Sequence, residues 1–229
     1  MNSSQQLLLL ALLFLSAVAG GMKYLEYSRK KSLKDQAGTS AVIGEAAHSL
    51  KTEKMRISKV NREKGVIGEL GVAKDLEYLA KEYGLTALHD LSIPGTKANI
   101  DHILISRKVV YVIDAKNYTG IVNISMNRQG KKTLKVGGRD QTFLVEKVKK
   151  YADSVRDFLE SENVSVKIVP LLAFYRGKFQ DDSSISVDGV TVNIFGIENE
   201  LLRNANIKRP EIDIDYVTNL ILKNFPPKN

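Results

Sequence analysis

The chain has 229 residues, 43% hydrophobic and 26% charged, with a formal net charge of +8 and no cysteine. That suits one globular domain with appendages and excludes disulfides, thiolate zinc sites and cysteine nucleophiles. A basic balance fits a polyanion such as nucleic acid, or an anionic membrane surface.

Residues 7–22 form an apolar run, LLLLALLFLSAVAGGM. It is short against the ~20 residues of a typical membrane span, but Gln5, Gln6 and Lys23 flank it and can sit in the interface. Ala17-Val18-Ala19 also reads as a signal-peptide cleavage site, although residues 1–6 contain no Lys or Arg. Basic residues follow the run: Lys23, Arg29, Lys30, Lys31 and Lys34. The positive-inside rule then leaves the N-terminus outside and the rest in the cytoplasm. The expectation is a single-pass cell-membrane anchor over residues 1–22. Export after signal cleavage and a buried soluble helix are the alternatives.

Residues 23–64 carry eleven Lys or Arg against five Asp or Glu. Residues 23–63 read as a basic juxtamembrane linker, solvated, lying on anionic lipid, or holding nucleic-acid backbone. Residues 28–43 show little periodicity, and residues 46–60 are partly helical.

Residues 61–83 predict a helix, with Val66, Leu70, Ala73, Leu76 and Ala80 on one stripe and Gly84 ending it. Glu69 projects into that stripe. A buried carboxylate is costly unless it is paired or holds a metal. Alternatively, Glu69 sits where a helix N-terminus favours negative charge. Gly65, Gly68 and Gly71 are poor helix formers and suit close approach of backbone to the sheet or to a phosphate.

Residues 85–93 predict the first strand, and Pro94-Gly95 a turn. The stretch 99–119, NIDHILISRKVVYVIDAKNYT, follows. Its two apolar runs, 100–106 and 109–113, predict strands joined tightly through Arg107 and Lys108. A symmetric hairpin centred there pairs Ile105 with Val110 and sets Asp101 opposite Asp114. Opposed residues share a face, and so does Lys116, two residues on. Like charges facing each other destabilise a sheet, so the pair implies a use. A divalent metal is the obvious one, since magnesium takes one or two carboxylates, keeps several waters and accepts phosphate oxygens. Both faces of the hairpin are apolar, which places it in the middle of a covered sheet.

Residues 120–126 and 133–136 predict a further hairpin with a basic tip over 127–132, either a solvated turn or a DNA-facing loop. Residues 140–160 predict a helix with Gln141, Leu144, Val145, Val148, Tyr151, Ala152, Val155 and Leu159 on one face and Lys147, Lys149 and Lys150 elsewhere. Residues 164–175 predict a buried strand with Pro170 marking a bulge or an edge. A short strand over 190–195 and an amphipathic helix over 212–225 follow, stopped by Pro226-Pro227. The order suits an α/β sandwich with a mixed sheet. His48, His89 and His102 have no metal-ligand spacing, and His102 points away from Asp101. No G-x-S-x-G, P-loop or G-x-G-x-x-G after a strand is present.

Asp101 with Asp114-Ala115-Lys116 resembles the D…(D/E)-x-K signature of restriction-endonuclease-like nucleases. With Gly65-Val66-Ile67-Gly68-Glu69, Ile100-Asp101-His102 and Ile113 to Gly120, residues 64–175 resemble the nuclease-related domain, NERD. Residues 176–229 then form a C-terminal extension packed on that core. The chain departs from the family's usual Glu at Asp114, and from its Asn-Pro at Arg139-Asp140.

The resemblance implies a restriction-endonuclease-like mixed β-sheet flanked by helices and a metal-dependent deoxyribonuclease. Magnesium, with manganese as the alternative, would be held by Asp101, Asp114 and the Ala115 carbonyl, with Glu69 as a further ligand. Lys116 would stabilise charge on the phosphate, or serve as a salt bridge to the acid pair. Gln141 corresponds to a Gln that related nucleases place near the metal, or it caps its helix. DNA is the expected partner. The alternative is a non-catalytic module on the same fold that holds nucleic acid or another partner at the membrane.

Overall fold

The computed structural model describes residues 3–35, 40–52, 59–179, 185–194 and 197–228, with backbone alone for 3–14, 16, 17, 52 and 194. The chain runs α1 (Ser3–Asp35), β1 (Ala41–Ile43), α2 (His48–Thr52), α3 (Lys59–Tyr83), β2 (Thr86–Ser92), β3 (Asn99–Ile105) and β4 (Val109–Lys116). It continues through β5 (Gly120–Met126), β6 (Lys132–Val136), β7 (Arg139–Asp140), α4 (Thr142–Ser161), β8 (Lys167–Phe174) and β9 (Gly177–Phe179). The last elements are β10 (Ile185–Val187), β11 (Val190–Ile194), α5 (Ile197–Asn204) and α6 (Ile214–Asn224).

A large mixed sheet orders its strands β1-β2-β3-β4-β8-β11-β10. The β3–β4 hairpin has the expected register, from Ile105↔Val110 to His102↔Ile113. Its turn lacks the usual Gly or Asn, and Ser106 compensates. The Val109 N–H donates to Ser106 Oγ across 3.0 Å, and the Ser106 N–H donates to the Val109 carbonyl across 2.9 Å. The two faces of the hairpin separate two cores, as alternation requires. Leu104, Tyr111 and Ile113 pack with Leu76, Leu79 and Ala80 of α3 and Leu201 of α5. Ile103, Ile105, Val110 and Val112 pack with Ala152, Val155 and Leu159 of α4 and Val217 and Ile221 of α6. Covered on both sides, the middle strands are buried along almost their whole length.

The second hairpin forms, but in a separate sheet, ordered β7-β6-β5-β9. At its tip the Asn127 side chain accepts from the Gln129 and Lys131 N–H groups, each across 2.9 Å. Pro170 lies inside the large sheet rather than at its edge. It pairs with Val112 of β4, and the β11 ladder begins only at Leu171. A residue without an N–H is tolerated where one neighbour is missing.

The N-terminal third departs most from expectation. Residues 28–35 are helical and residues 41–43 add a parallel strand beside β2. Leu33 is buried in the α3–α5 core, Lys30 pairs with Glu198 of α5 across 3.4 Å, and Lys34 pairs with Glu82 of α3. The end of α1 is therefore docked on the domain. The apolar run 7–22 falls within α1, but most of its side chains lie outside the described ones. Among the described residues no helix is long and apolar enough to cross a membrane, so they do not support the expected span.

Candidate active site

A cleft of about 780 Å³ opens at the C-terminal end of β4, between the start of α3 and the start of α4. Its floor carries Glu69, Asp101, Ala115 and Lys116, and its walls include Asn61, Lys64, Asn117, Tyr118, Arg139, Gln141 and Lys147. Asp101, Asp114 and Glu69 are only 5%, 0% and 7% exposed.

The β3–β4 ladder stops one pair short of the acids. There the Ala115 N–H, which would have met a strand partner, donates to Asp101 Oδ2 across 2.8 Å. The carboxylate thus replaces backbone in the ladder and satisfies a donor that would otherwise be buried without a partner. The Lys116 Nζ then lies 2.6 Å from Asp114 Oδ2, 3.5 Å from Asp101 Oδ2 and 2.8 Å from the Ala115 carbonyl oxygen. One ammonium therefore touches each of the three groups expected to hold a cation.

Sequence spacing missed Lys147, which was expected only to lie off the apolar face of its helix. From α4 it reaches Asp114 Oδ1 at 3.0 Å while its ammonium stands 5.2 Å from the centre of the Tyr151 ring. The signal was available. Lys147 stands three residues after Leu144 and four before Tyr151, at the edge of the apolar face.

Two cations on one fully buried carboxylate decide its charge. Burial alone would raise the Asp114 pKa, but Lys116 and Lys147 overcome it and hold the group below the ordinary value. Asp101 is pushed up to about 6 by burial, with Asp114 adding to it and Lys116 opposing. Burial works against the charge on Lys116, yet Asp114 and Asp101 keep its pKa raised.

Glu69 reaches the cleft from the opposite helix layer, because α3 lies unusually close to the sheet. At Gly68 a Cβ would come within 2.7 Å of the Asn117 Cβ and 3.1 Å of its backbone nitrogen. At Gly71 a Cβ would land in the Tyr175 ring. Gly68 thus approaches backbone just past β4 and Gly71 the Tyr175 ring just past β8, whereas at Gly65 a Cβ would meet Leu50 of α2 rather than the sheet. Burial, and then the Asp101 charge, push the Glu69 pKa up to about 9. Its Oε2 is buried with no hydrogen-bond partner. Gln141 also lines the cleft. It occupies the N-cap of α4 but makes no side-chain capping bond.

His102 faces away from the acids, as expected. It is fully buried, with its Nδ1 2.9 Å from that of His89.

Among the described residues no group of three or more His, Cys, Asp or Glu is placed to hold a metal. Two carboxylates, a carbonyl and room for water are nevertheless a donor set that magnesium accepts. The ammonium already resting on those oxygens is the cation they attract, and the unpaired Glu69 oxygen is a further donor at the same cleft. The residues present fit the ion.

No curated protein and no solved structure matches this chain. The family model of the nuclease-related domain matches residues 64–175, just under half of the chain. That segment contains β3, β4, the start of α4 and every acid of the cleft, and with this match residues 64–175 are identified as a nuclease-related domain of the NERD family.

Proposed function

We propose that the cleft hydrolyses nucleic-acid phosphodiesters, DNA first, with magnesium or manganese held by Asp101, Asp114 and the Ala115 carbonyl and supported by Glu69. The observation that carries this reading is the single ammonium of Lys116 resting on Asp101, Asp114 and the Ala115 carbonyl at the floor of an open cleft. A bound divalent ion would neutralise phosphate charge and activate water. The chain's own groups do the rest. Lys147 keeps Asp114 ionised. Lys116, released from the acids, aims a compact positive charge at a phosphate oxygen. Gln141, whose side chain makes no capping bond, would offer its amide to the substrate from the cleft wall.

A second reading is a binding module that does not cut. The observation favouring it is that Lys116 and Lys147 both pair with Asp114, two ammonium groups on one carboxylate. The full chain incubated with linear, nicked and circular DNA, in magnesium, manganese or chelator, separates the two. Metal-dependent cutting that Lys116→Ala abolishes while DNA binding persists supports the nuclease. Binding without cutting in every metal supports the module.

The membrane anchor and a cytoplasmic domain belong to the same proposal. The support is the apolar run 7–22, the basic residues after it, and the exposure of Leu15, Val18, Met22, Tyr24 and Leu25 on α1. N-terminal sequencing of the cellular protein tests it, since cleavage after Ala19 gives the exported form.

A further inference from the structure

We propose that the cleft takes single-stranded nucleic acid and grips it by stacking unpaired bases on Tyr118 and Phe143. This rests on the nucleic-acid reading of the cleft and adds the strand class. Tyr118 lines the cleft and is 36% exposed, while its ring is braced by Phe174 at 6.1 Å between centroids. A ring braced behind and open in front is a ready stacking surface. Phe143 is 58% exposed in the first turn of α4. It stands four residues before Lys147, so the two share a side of the helix. Gln141 and Lys147, on either side of Phe143 in the chain, both line the cleft, and Phe143 itself stands just outside that lining. The cleft that Tyr118 lines also offers Lys64 and Arg139, which make no ion pair among the described residues and are exposed. Aromatic rings interleaved with unpaired basic side chains are the elements of single-strand binding, with stacking for the bases and cations for the backbone.

The depth of the acids argues for the same substrate. With Asp101 5% and Asp114 0% exposed, a reacting phosphate must be carried to the floor of the cleft. A duplex is a stiff cylinder whose bases have no free faces except at its ends. A single strand bends inward and leaves its bases free to stack.

The test is fluorescence polarisation of the full chain in chelator, which separates binding from cutting. The probes are a 12-nucleotide single strand carrying 2-aminopurine and the matching blunt duplex. The expected result is at least tenfold tighter binding of the single strand, with quenched 2-aminopurine emission. Phe143→Ala and Tyr118→Ala each weaken single-strand binding about tenfold and leave duplex binding unchanged, while Tyr118→Phe retains it. Phe143 is exposed, so its variant keeps the fold, checked by thermal melting. Equal affinity for both probes, no binding of either, or alanine variants that weaken both alike or neither, overturns the proposal. Strand preference in a protein that never cuts in magnesium leaves this proposal standing and removes the nuclease. Cutting without strand preference does the reverse.

Discussion

The Ala115 N–H donates to Asp101 Oδ2 across 2.8 Å, in the place where a strand neighbour would have accepted it. A side chain thereby ends the β3–β4 ladder, and beside it Lys116 lines the cleft and pairs with the buried Asp114. Structure and proposed chemistry meet in that one carboxylate.

Asp101→Asn keeps an oxygen for the Ala115 N–H but removes the charge. Nuclease activity is expected to fall at least about 100-fold, on the scale of losing one electrostatic group of an active site, with stability changed by less than about 1 kcal/mol. Asp101→Ala leaves the N–H buried and unpaired and costs about 1–3 kcal/mol. Urea denaturation of both variants alongside a cleavage assay distinguishes the two roles.

Glu69 makes stability depend on pH. Its folded pKa is raised from 4.5 to about 9, so the folded protein keeps a proton that the unfolded chain releases. Its contribution is fully present below about pH 4.5 and is lost as pH rises toward 9. Glu69→Gln cannot release that proton. In chelator it should melt at the wild-type temperature near pH 4 and clearly above wild type at pH 8. Magnesium should narrow the gap at pH 8, because a cation stabilises the carboxylate. Equal melting temperatures at pH 8 in chelator would mean that Glu69 is not held neutral by burial.

Lys147→Ala leaves Asp114 with one cation instead of two. Because Lys147 is 38% exposed and Lys116 remains, the cost is expected at about 1–2 kcal/mol. Cleavage should fall about tenfold. In a double-mutant cycle with Asp114→Asn the two losses should be less than additive, since the residues are in direct contact.

Gly68→Ala tests how closely α3 must approach. Its Cβ would meet Asn117, including backbone that cannot swing aside. The helix must retreat and take Glu69 with it. Overpacking of this kind costs about 1–3 kcal/mol, offset by up to about 1 kcal/mol of helix propensity. Activity should therefore suffer more than stability, read as kcat against the urea midpoint. Gly71→Ala, one turn further from the acids and against the Tyr175 ring, should show the reverse balance.

Much of this was legible in the residues. The apolar alternation of 100–113 and the two-residue gap at Arg107-Lys108 gave the hairpin its register. Ser106 supplied the turn that a Gly or Asn usually makes. The stripe of α4 announced the buried residues Leu144, Val145, Val148, Ala152, Val155 and Leu159. What was not legible depends on contacts between distant segments. Residues 28–35 look aperiodic alone, because one Leu33 suffices to dock a helix end once α3 and α5 provide its pocket. The short strand β1 has no pattern of its own and exists by pairing with β2.

The chain by itself determined that Asp101, Asp114 and Lys116 share a face near one end of a hairpin, because a strand's period of two admits no other arrangement once the turn is set. Only the tertiary structure decided that Lys147 would come down on Asp114 from one helix layer, facing the layer from which Glu69, expected there from the family resemblance, reaches the same cleft. Those approaches depend on how closely and at what angle helices cross the sheet, which side-chain volumes on both partners settle together.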